Sequence, residues 1–283
     1  MGNYLSFLIV KFLSVSLPLK ARYGVARFLA DIRFYFAIKD RRAVIKNLKI
    51  ISPEGDLSKK AKEVFRSFAK YLVDFFRTHL LNEEYIQKKI EIVGLDHLDN
   101  ALKKGNGVVA LSAHIGNWEL GAVIVSMLGY PIAAIALPHK SKKVNDLFNF
   151  QRGCKGFEVI PLGSAARKSF ETLKNNHILA VAGDRDFANS GFVMDFFGKK
   201  TMIPKGAAVF SVKTKAPIVP IFLIRKHDDY FRFIFGKPIE PPKNADDKEA
   251  LSAYTQKCVS IIESYIRAYP TQWLMFRKFW IEQ

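Results

Sequence analysis

Short apolar runs alternate with helical stretches from residue 90 onward, and this alternation constrains the fold of the 283-residue chain more than any other feature. Runs this short and this apolar are typical of buried strands in a parallel sheet, and the stretches between them suit crossover helices. The pattern predicts an α/β fold with a mixed, mostly parallel sheet flanked by helices. We expect strands at 90–93, 108–112, 132–136, 159–161, 178–182 and 218–224, a returning edge strand at 231–235, and helices near 97–103, 118–128, 141–152, 164–175, 205–214 and 247–268.

The first 19 residues predict a segment at a membrane surface. Residues 4–19 are mostly apolar, but they are fewer than the roughly 20 residues that a membrane span needs, and Lys11 interrupts them. They favour a helix lying on a membrane, or a marginal N-terminal anchor. The alternative is a helix packed on the rest of the domain.

Further helices are expected before residue 90. Residues 21–39 predict a helix with one apolar face, which fits either a basic helix at a membrane interface or a helix lying on the sheet. A later helix, at 58–81, is expected to be capped by Ser58. The apolar face of the earlier helix contains Val25, Phe28, Leu29, Ile32 and Phe36. We therefore predict a membrane-associated helix at 1–20, a helical cap at 21–89 and an α/β core at 90–283, with cap and core forming one structural unit.

The charge of the chain indicates an anionic partner. Lys and Arg number 44 against 26 Asp and Glu, which gives a formal net charge of +18. No zinc finger, aromatic RNA-binding signature or basic zipper is present, so nucleic acid is disfavoured. The remaining candidates for the anionic partner are a membrane surface, a phosphorylated substrate and an acidic carrier protein. The two cysteines, Cys154 and Cys258, provide neither a disulfide framework nor a metal site, and they indicate a reducing cytosolic compartment.

His114 is the residue to which the sequence points most directly. It follows the predicted strand 108–112, at the end where open α/β sheets bind their ligands. Glu119 lies five residues further on, and a bend at Gly116 would bring the two side chains together. An imidazole oriented by a carboxylate is a general base that takes a proton from a hydroxyl. The alternative, a core histidine satisfied by a nearby acid, is disfavoured by the strand end, the bend and the following acid taken together.

The segment 113–120, AHIGNWEL, resembles the His-x4-Asp/Glu motif of glycerolipid-type acyltransferases, and its Gly-Asn-Trp-Glu form resembles the late acyltransferases of lipid A synthesis. The resemblance runs from about residue 22 to residue 280. It implies the family's acyltransferase fold with an N-terminal helical cap. It also implies a fatty acyl thioester as donor, on acyl carrier protein or coenzyme A, and no metal or other cofactor. In such an enzyme His114 is the base and Glu119 fixes its tautomer.

The same resemblance assigns roles at two further places. Arg152, which follows Asn145 on a predicted helix, would hold a phosphate or a polarised oxygen, since guanidinium is a bidentate anion clamp. Asp184 and Asp186 follow the predicted strand 178–182, in the sequence Gly-Asp-Arg-Asp. These two carboxylates would orient the basic residues or contact the acceptor.

The segment from residue 196 to residue 206 resembles the family's Phe-Phe-Gly and Pro-x-Gly stretch, which implies an acyl groove beside a basic surface. Read alone, it would be a hairpin loop. The ending at 273–280 resembles the family's Trp- and Arg-rich ending, but it has Met275 and Phe276 where members often carry other aromatic or basic residues. The expected substrate-binding residues are Asn117, Asn145, Asp184, Asp186, Lys199 and Lys200.

These features predict an O-acyltransferase at the cytoplasmic face of the inner membrane, either peripheral or held by a single N-terminal anchor. The expected acceptor is a hydroxyl of an anionic glycolipid, and a lipid A precursor is the preferred candidate. Three alternatives stay open. The acceptor is a different lipid, such as a mannosylated phosphatidylinositol or an ornithine lipid; the protein is a thioesterase, with water in place of the hydroxyl; or it is a non-catalytic basic protein that binds membranes.

Overall fold

Strands form the centre of the molecule, which is described by a computed structural model over residues 4–187, 190–243 and 247–281. The ends of the predicted 1–20 and 90–283 segments therefore lie partly outside the described residues. The strands found are β1 (Ile90–Val93), β2 (Val108–Ser112), β3 (Ile132–Ala136), β4 (Glu158–Pro161), β5 (Ile178–Ala182), β6 (Phe192–Phe196), β7 (Lys199–Ile203), β8 (Ile218–His227) and β9 (Tyr230–Phe235).

Seven of these strands make one sheet in the order β1-β9-β8-β2-β5-β3-β4. All its neighbours pair in parallel except β8 and β9, which form an antiparallel hairpin. β6 and β7 form a separate antiparallel hairpin. The prediction of a mixed, mostly parallel sheet flanked by helices is confirmed.

Helices cover both faces of the sheet and extend the molecule at its N-terminal end. Successive residues of β2 point to opposite faces, so Val109 and Leu111 enter one apolar core while Val108 and Ala110 enter the other. The helices are α1 (Tyr4–Ser16), α2 (Leu19–Phe36), α3 (Ile38–Ile51), α4 (Leu57–Phe75), α5 (Glu83–Lys89), α6 (Leu95–Leu102), α7 (Trp118–Met127), α8 (Lys142–Gly153), α9 (Ala165–Lys174), α10 (Gly206–Thr214) and α11 (Lys248–Ala268).

The first two helices expose apolar side chains to solvent. On α1 the exposed residues recur every three or four positions, so they share one face; they are Leu5, Ile9, Phe12 and Val15. On α2 and at the start of α3 they are Phe28, Leu29, Ile32, Tyr35, Phe36 and Ile38, and Phe36 is 81% exposed. No helix in the described ranges is long and apolar enough to cross a membrane. The predicted apolar face of the helix at 21–39 is therefore exposed over Phe28, Leu29, Ile32 and Phe36, and which of its two predicted placements applies stays a prediction.

Three local predictions need correction. The predicted helix at 21–39 ends at Phe36, and the chain turns at Ala37 before α3 begins. The cap of α4 is Asp56, whose carboxylate accepts from the Lys59 N–H, and not Ser58, which lies inside the helix. The predicted helix at 58–81 ends already at Phe75 and is followed by a separate turn of 3-10 helix.

β9 was predicted as an edge strand and is an interior one. A turn at Asp228 and Asp229 joins it to β8, and β1 pairs in parallel along its other side. The physical reason is burial, because Phe231, Phe233 and Phe235 are all sealed in a core and the backbone beside them needs a partner.

The segment that follows α11 returns to the end of β2. Ile115 and Trp273 form an isolated bridge, and the Leu274 N–H donates to the His114 carbonyl at 2.8 Å. The Gly116 N–H donates to the Gln272 carbonyl at 3.0 Å. The C-terminal segment 272–275 thereby holds the chain around His114 in place.

Candidate active site

His114 lies just beyond the carboxyl end of β2, in the bend that leads into α7. Gly116 makes this bend possible, since its φ is +62° and a Cβ there would lie 2.0 Å from the Leu223 carbonyl oxygen. The Asn117 N–H donates to that same carbonyl at 3.0 Å. The bend is therefore pressed against β8, and it leaves the His114 side chain 14% exposed.

Asp184 is the acid that contacts His114. Its Oδ1 lies 2.7 Å from the His114 Nδ1, and its Oδ2 accepts from the His114 backbone N–H at 3.1 Å. The register of the sheet explains this contact, because Ser112 of β2 pairs with Ala182 of β5 and each functional residue lies two positions further on. The Trp273 indole N–H donates to the same carboxylate at 3.0 Å.

The protonation of the pair follows from its surroundings. Burial raises the pKa of the Asp184 carboxyl, but His114, Arg185 and the Trp273 N–H outweigh burial and hold this pKa below its ordinary value. An ionised carboxylate only accepts hydrogen bonds, so the His114 Nδ1 carries the proton and Nε2 keeps the lone pair. Burial lowers the pKa of the His114 imidazole, although Asp184 acts in the opposite direction. A neutral ring with a free Nε2 is the form that a general base requires.

Glu119 does not orient His114, contrary to the prediction. Its carboxylate is held by Arg152, with Nε donating to Oε2 at 2.9 Å and Nη2 donating to Oε1 at 2.5 Å. Burial would lower the pKa of Arg152, but Glu119 outweighs it and raises this pKa. The physical reason is direction: the bend places Glu119 in the first turn of α7, where it faces α8, whereas β5 delivers a carboxylate directly beside His114.

Two side-chain amides that were predicted to bind substrate form hydrogen bonds within the protein instead. Asn117 is 1% exposed and caps α7, with Oδ1 accepting from the Leu120 N–H at 3.2 Å and Nδ2 donating to Asp74 at 3.0 Å. It is therefore closed to a substrate. Asn145, on α8, accepts from the His139 N–H at 3.1 Å and so fixes the loop before that helix.

The other three predicted contacts are not brought to His114 by any hydrogen bond or ion pair seen in the described residues. Asp186 accepts from the Gly191 N–H at 2.8 Å. Lys199 and Lys200 are exposed on β7, where Lys200 pairs with Asp195 of the same hairpin at 2.9 Å. Taken alone, the segment from residue 196 to residue 206 predicted a hairpin, and the antiparallel pairing of β6 and β7 confirms it.

Three aromatic or basic residues of the site were missed by the sequence reasoning. Tyr71 of α4 stacks on Trp118 with ring centroids 4.7 Å apart, and the Trp118 ring meets the His114 ring at 4.8 Å. Arg185 is adjacent to Asp184, and its Nη2 donates to the Leu274 carbonyl. Trp118 and Arg185 lie beside the recognised motifs, but Tyr71 is far away in sequence and carries no local signal.

Comparison with known proteins connects this geometry to a family. Residues 2–282 match the family model described as bacterial lipid A biosynthesis acyltransferase. The chain belongs to this family. Its members are acyltransferases, so this chain is an acyltransferase, and the resemblance read from segment 113–120 is confirmed.

Relatives with different acceptors in their names are similar to this chain. The phosphatidylinositol mannoside acyltransferase of Mycolicibacterium smegmatis is 28% identical over 219 residues, covering 76% of this chain and 70% of the relative. The lipid A biosynthesis palmitoleoyltransferase of Escherichia coli is 25% identical over 247 residues, covering 85% and 79%. The lipid A biosynthesis lauroyltransferase of Escherichia coli is 22% identical over 274 residues, covering 95% and 88%.

A solved structure is also similar. It is the 1-acyl-sn-glycerophosphate acyltransferase of Thermotoga maritima, with a TM-score of 0.42 and 18% identity, covering 87% of this chain and 98% of that chain.

Proposed function

We propose that this acyltransferase moves a fatty acyl chain from a thioester to a hydroxyl of an anionic glycolipid, with a lipid A precursor as acceptor. The observation that carries the proposal is the pairing of His114 with the buried Asp184 at the carboxyl end of the sheet, which leaves the His114 Nε2 without a hydrogen-bond partner in the described residues. Acyl carrier protein is the proposed thioester carrier, because a basic chain with a net charge of +18 suits an acidic carrier. Coenzyme A is the second carrier to test.

The proposed reaction uses the ring as a base and then as an acid. The His114 Nε2 takes the proton of the acceptor hydroxyl, whose oxygen forms a bond to the thioester carbonyl carbon. The tetrahedral intermediate then breaks its carbon–sulfur bond, and the departing thiolate takes the proton back from the imidazolium. Asp184 stabilises the imidazolium between these steps and keeps Nδ1 protonated. The products are an ester on the acceptor and a free thiol.

Arg152 and Glu119 are proposed to act as one unit beside this centre. The carboxylate orients the guanidinium through two hydrogen bonds, and the Arg152 side chain is 9% exposed. The remaining positive field of Arg152 would favour a phosphate of the acceptor. Asp184, by contrast, is assigned to the base and not to the acceptor.

The membrane is the proposed place of the reaction. The exposed apolar faces of α1 and α2 suit the boundary between lipid headgroups and acyl chains, where basic side chains gain further attraction to anionic lipids. Helix α1 also packs close to the site, because Phe7 of α1 contacts Phe148 of α8 with ring centroids 5.2 Å apart and Arg152 lies over the same Phe148 ring. We propose a peripheral protein at the cytoplasmic face of the inner membrane. The division of the chain into an N-terminal helix, a helical cap and an α/β core, with boundaries at residues 20 and 89, stays a prediction.

A second acceptor has its own support. The mycobacterial relatives are named phosphatidylinositol mannoside acyltransferases and are 28–29% identical to this chain, against 22–25% for the relatives named for lipid A. A mannosylated phosphatidylinositol is likewise an anionic glycolipid with free hydroxyls. The two acceptors are therefore to be compared side by side.

The test is transfer of a radiolabelled acyl group from acyl carrier protein or coenzyme A to each acceptor by the purified chain. We expect labelled acylated glycolipid with the wild type and none with His114→Ala. The matched control is His227→Ala, which removes an exposed histidine at the β8–β9 turn. Full activity of His114→Ala would refute the assignment of the base, and free fatty acid released without acceptor would identify a thioesterase.

A further inference from the structure

Among the buried tyrosines of the described residues, one has a hydroxyl group without a hydrogen-bond partner. Three tyrosines are buried in the described ranges, namely Tyr23, Tyr71 and Tyr254. Tyr23 donates to Asp74 at 2.5 Å, and Tyr254 donates to the Ile239 carbonyl at 3.0 Å. Buried phenols normally find such partners. The Tyr71 hydroxyl has none among the residues that the structure describes.

The position of this hydroxyl is fixed by its ring. Tyr71 stacks on Trp118 within 18° of parallel, and its backbone carbonyl accepts from the Asn117 Nδ2 at 3.5 Å. Trp118 in turn contacts His114. The ring of Tyr71 is thus held on the same aromatic wall as the base. A donor fixed in advance needs no reorganisation when charge develops near it.

The charges around the phenol belong to the active site. Glu119, Arg152 and Arg185 are the charged groups that act on it, and burial together with Glu119 raises the pKa of the Tyr71 phenol well above its ordinary value. The phenol therefore keeps its proton at neutral pH. The Tyr71 hydroxyl oxygen is not among the unpartnered polar atoms that are fully buried, so it keeps some contact with open space. A protonated hydroxyl in contact with open space is able to donate to a substrate.

The nearby cations are less available as donors. Arg152 uses Nε and Nη2 on Glu119 and directs Nη1 towards Asn149 at 3.4 Å. Arg185 is anchored by Nη2 on the Leu274 carbonyl, its Nε is sealed, and it forms no ion pair within the described chain. Arg185 therefore supplies positive field to the site, while the Tyr71 hydroxyl is the uncommitted neutral donor.

From this arrangement we propose that Tyr71 is a catalytic residue, whose hydroxyl donates a hydrogen bond to the oxygen of the thioester carbonyl as that oxygen becomes negative. The proposal rests on the proposed function and deepens it. When the acceptor oxygen bonds to the carbonyl carbon, the carbonyl π electrons move to the oxygen, and no proton is transferred from Tyr71. When the carbon–sulfur bond breaks, the carbonyl reforms and the hydrogen bond weakens.

The test compares steady-state kinetics of the wild type and Tyr71→Phe in acyl transfer to the glycolipid acceptor. This change keeps the ring on Trp118 and removes only the hydroxyl. Loss of one oxyanion donor lowers kcat by about 10²–10³, so we expect a loss of at least about 30-fold with KM for donor and acceptor changed less than about threefold. Tyr265→Phe is the matched control, because Tyr265 stacks on Phe222 at 3.9 Å outside the site.

The pH profile separates a catalytic role from a structural one. The acid limb of kcat/KM reports His114, so it stays in place in Tyr71→Phe if only the donor is lost. A kcat within about threefold of wild type, a loss confined to KM, or a displaced acid limb would each overturn the proposal. Those results leave the proposed function standing, because wild-type transfer and its loss in His114→Ala are measured in the same experiment. A wild type without any transfer would overturn both.

Discussion

At the residue scale, the site depends on which carboxylate reaches the imidazole. Glu119 lies close to His114 in sequence, whereas Asp184 lies 70 residues away. Local spacing therefore predicted the wrong partner, while it placed His114, the Gly116 bend and the acidic residues at strand ends. The correct pair can be identified only when the register between β2 and β5 is known, because that register places His114 beside Asp184.

The first prediction concerns Asp184→Asn. An amide in this place no longer fixes the tautomer of His114 or stabilises the imidazolium, and we expect kcat to fall by about 10³–10⁴. Because Asp184 acts to raise the pKa of His114, its loss lowers that pKa further, and the acid limb of kcat/KM moves to lower pH. Kinetics between pH 4.5 and pH 8 measure both effects; the matched control is Asp195→Asn on the exposed hairpin. An unchanged acid limb would contradict the assigned pair.

A second prediction concerns Glu119→Gln. The change removes the charge that compensates Arg152, and breaking a buried ion pair by removing one partner destabilises a protein by about 3–5 kcal/mol. We expect a lower free energy of unfolding in denaturant titrations and weaker acyl transfer. The acid limb set by His114 should shift far less than in Asp184→Asn, because Asp184 and not Glu119 contacts the ring. Equal shifts in the two variants would show that both carboxylates serve the base.

At the element scale, helices and strands were predicted well where their signals are local. The boundaries of β1, β2, β3 and β5 match the apolar runs, since a buried strand is itself such a run. The position of β9 inside the sheet was missed, because strand order depends on partners distant in sequence. The end of α2 was missed as well, since nothing in the local apolar pattern marks the turn at Ala37.

The apolar face of α1 gives a third prediction. Phe12 is 67% exposed, and burying such a side chain in a membrane interface contributes about 1.5–3 kcal/mol. We expect Phe12→Ser to weaken binding to vesicles with 30% anionic lipid by at least about tenfold, measured by co-sedimentation. Val193→Ser is the control, because Val193 is an exposed apolar residue on β6, away from α1. Equal binding by the two variants would contradict a role of α1 at the membrane.

At the scale of the whole molecule, the net charge predicts a dependence on salt. Electrostatic attraction to an anionic surface is screened over about 10 Å at 0.1 M ionic strength and over about 3 Å at 1 M. We expect binding to anionic vesicles to fall steeply between 0.05 M and 0.5 M NaCl, while weaker binding to neutral vesicles changes little. Co-sedimentation at several salt concentrations measures this. Salt-independent binding to anionic vesicles would mean that apolar contact alone holds the protein.

The segment at 272–275 contributes contacts to the site from a part of the chain that is synthesised well after Asp184. Trp273 completes the hydrogen bonds of Asp184, and Leu274 supports both His114 and Arg185, yet Trp273 is made 89 residues after Asp184. A ribosome-bound nascent chain thus carries imidazole and carboxylate well before the indole emerges from the exit tunnel. Until segment 272–275 has emerged, Asp184 lacks the Trp273 hydrogen bond and the His114 carbonyl lacks the Leu274 hydrogen bond.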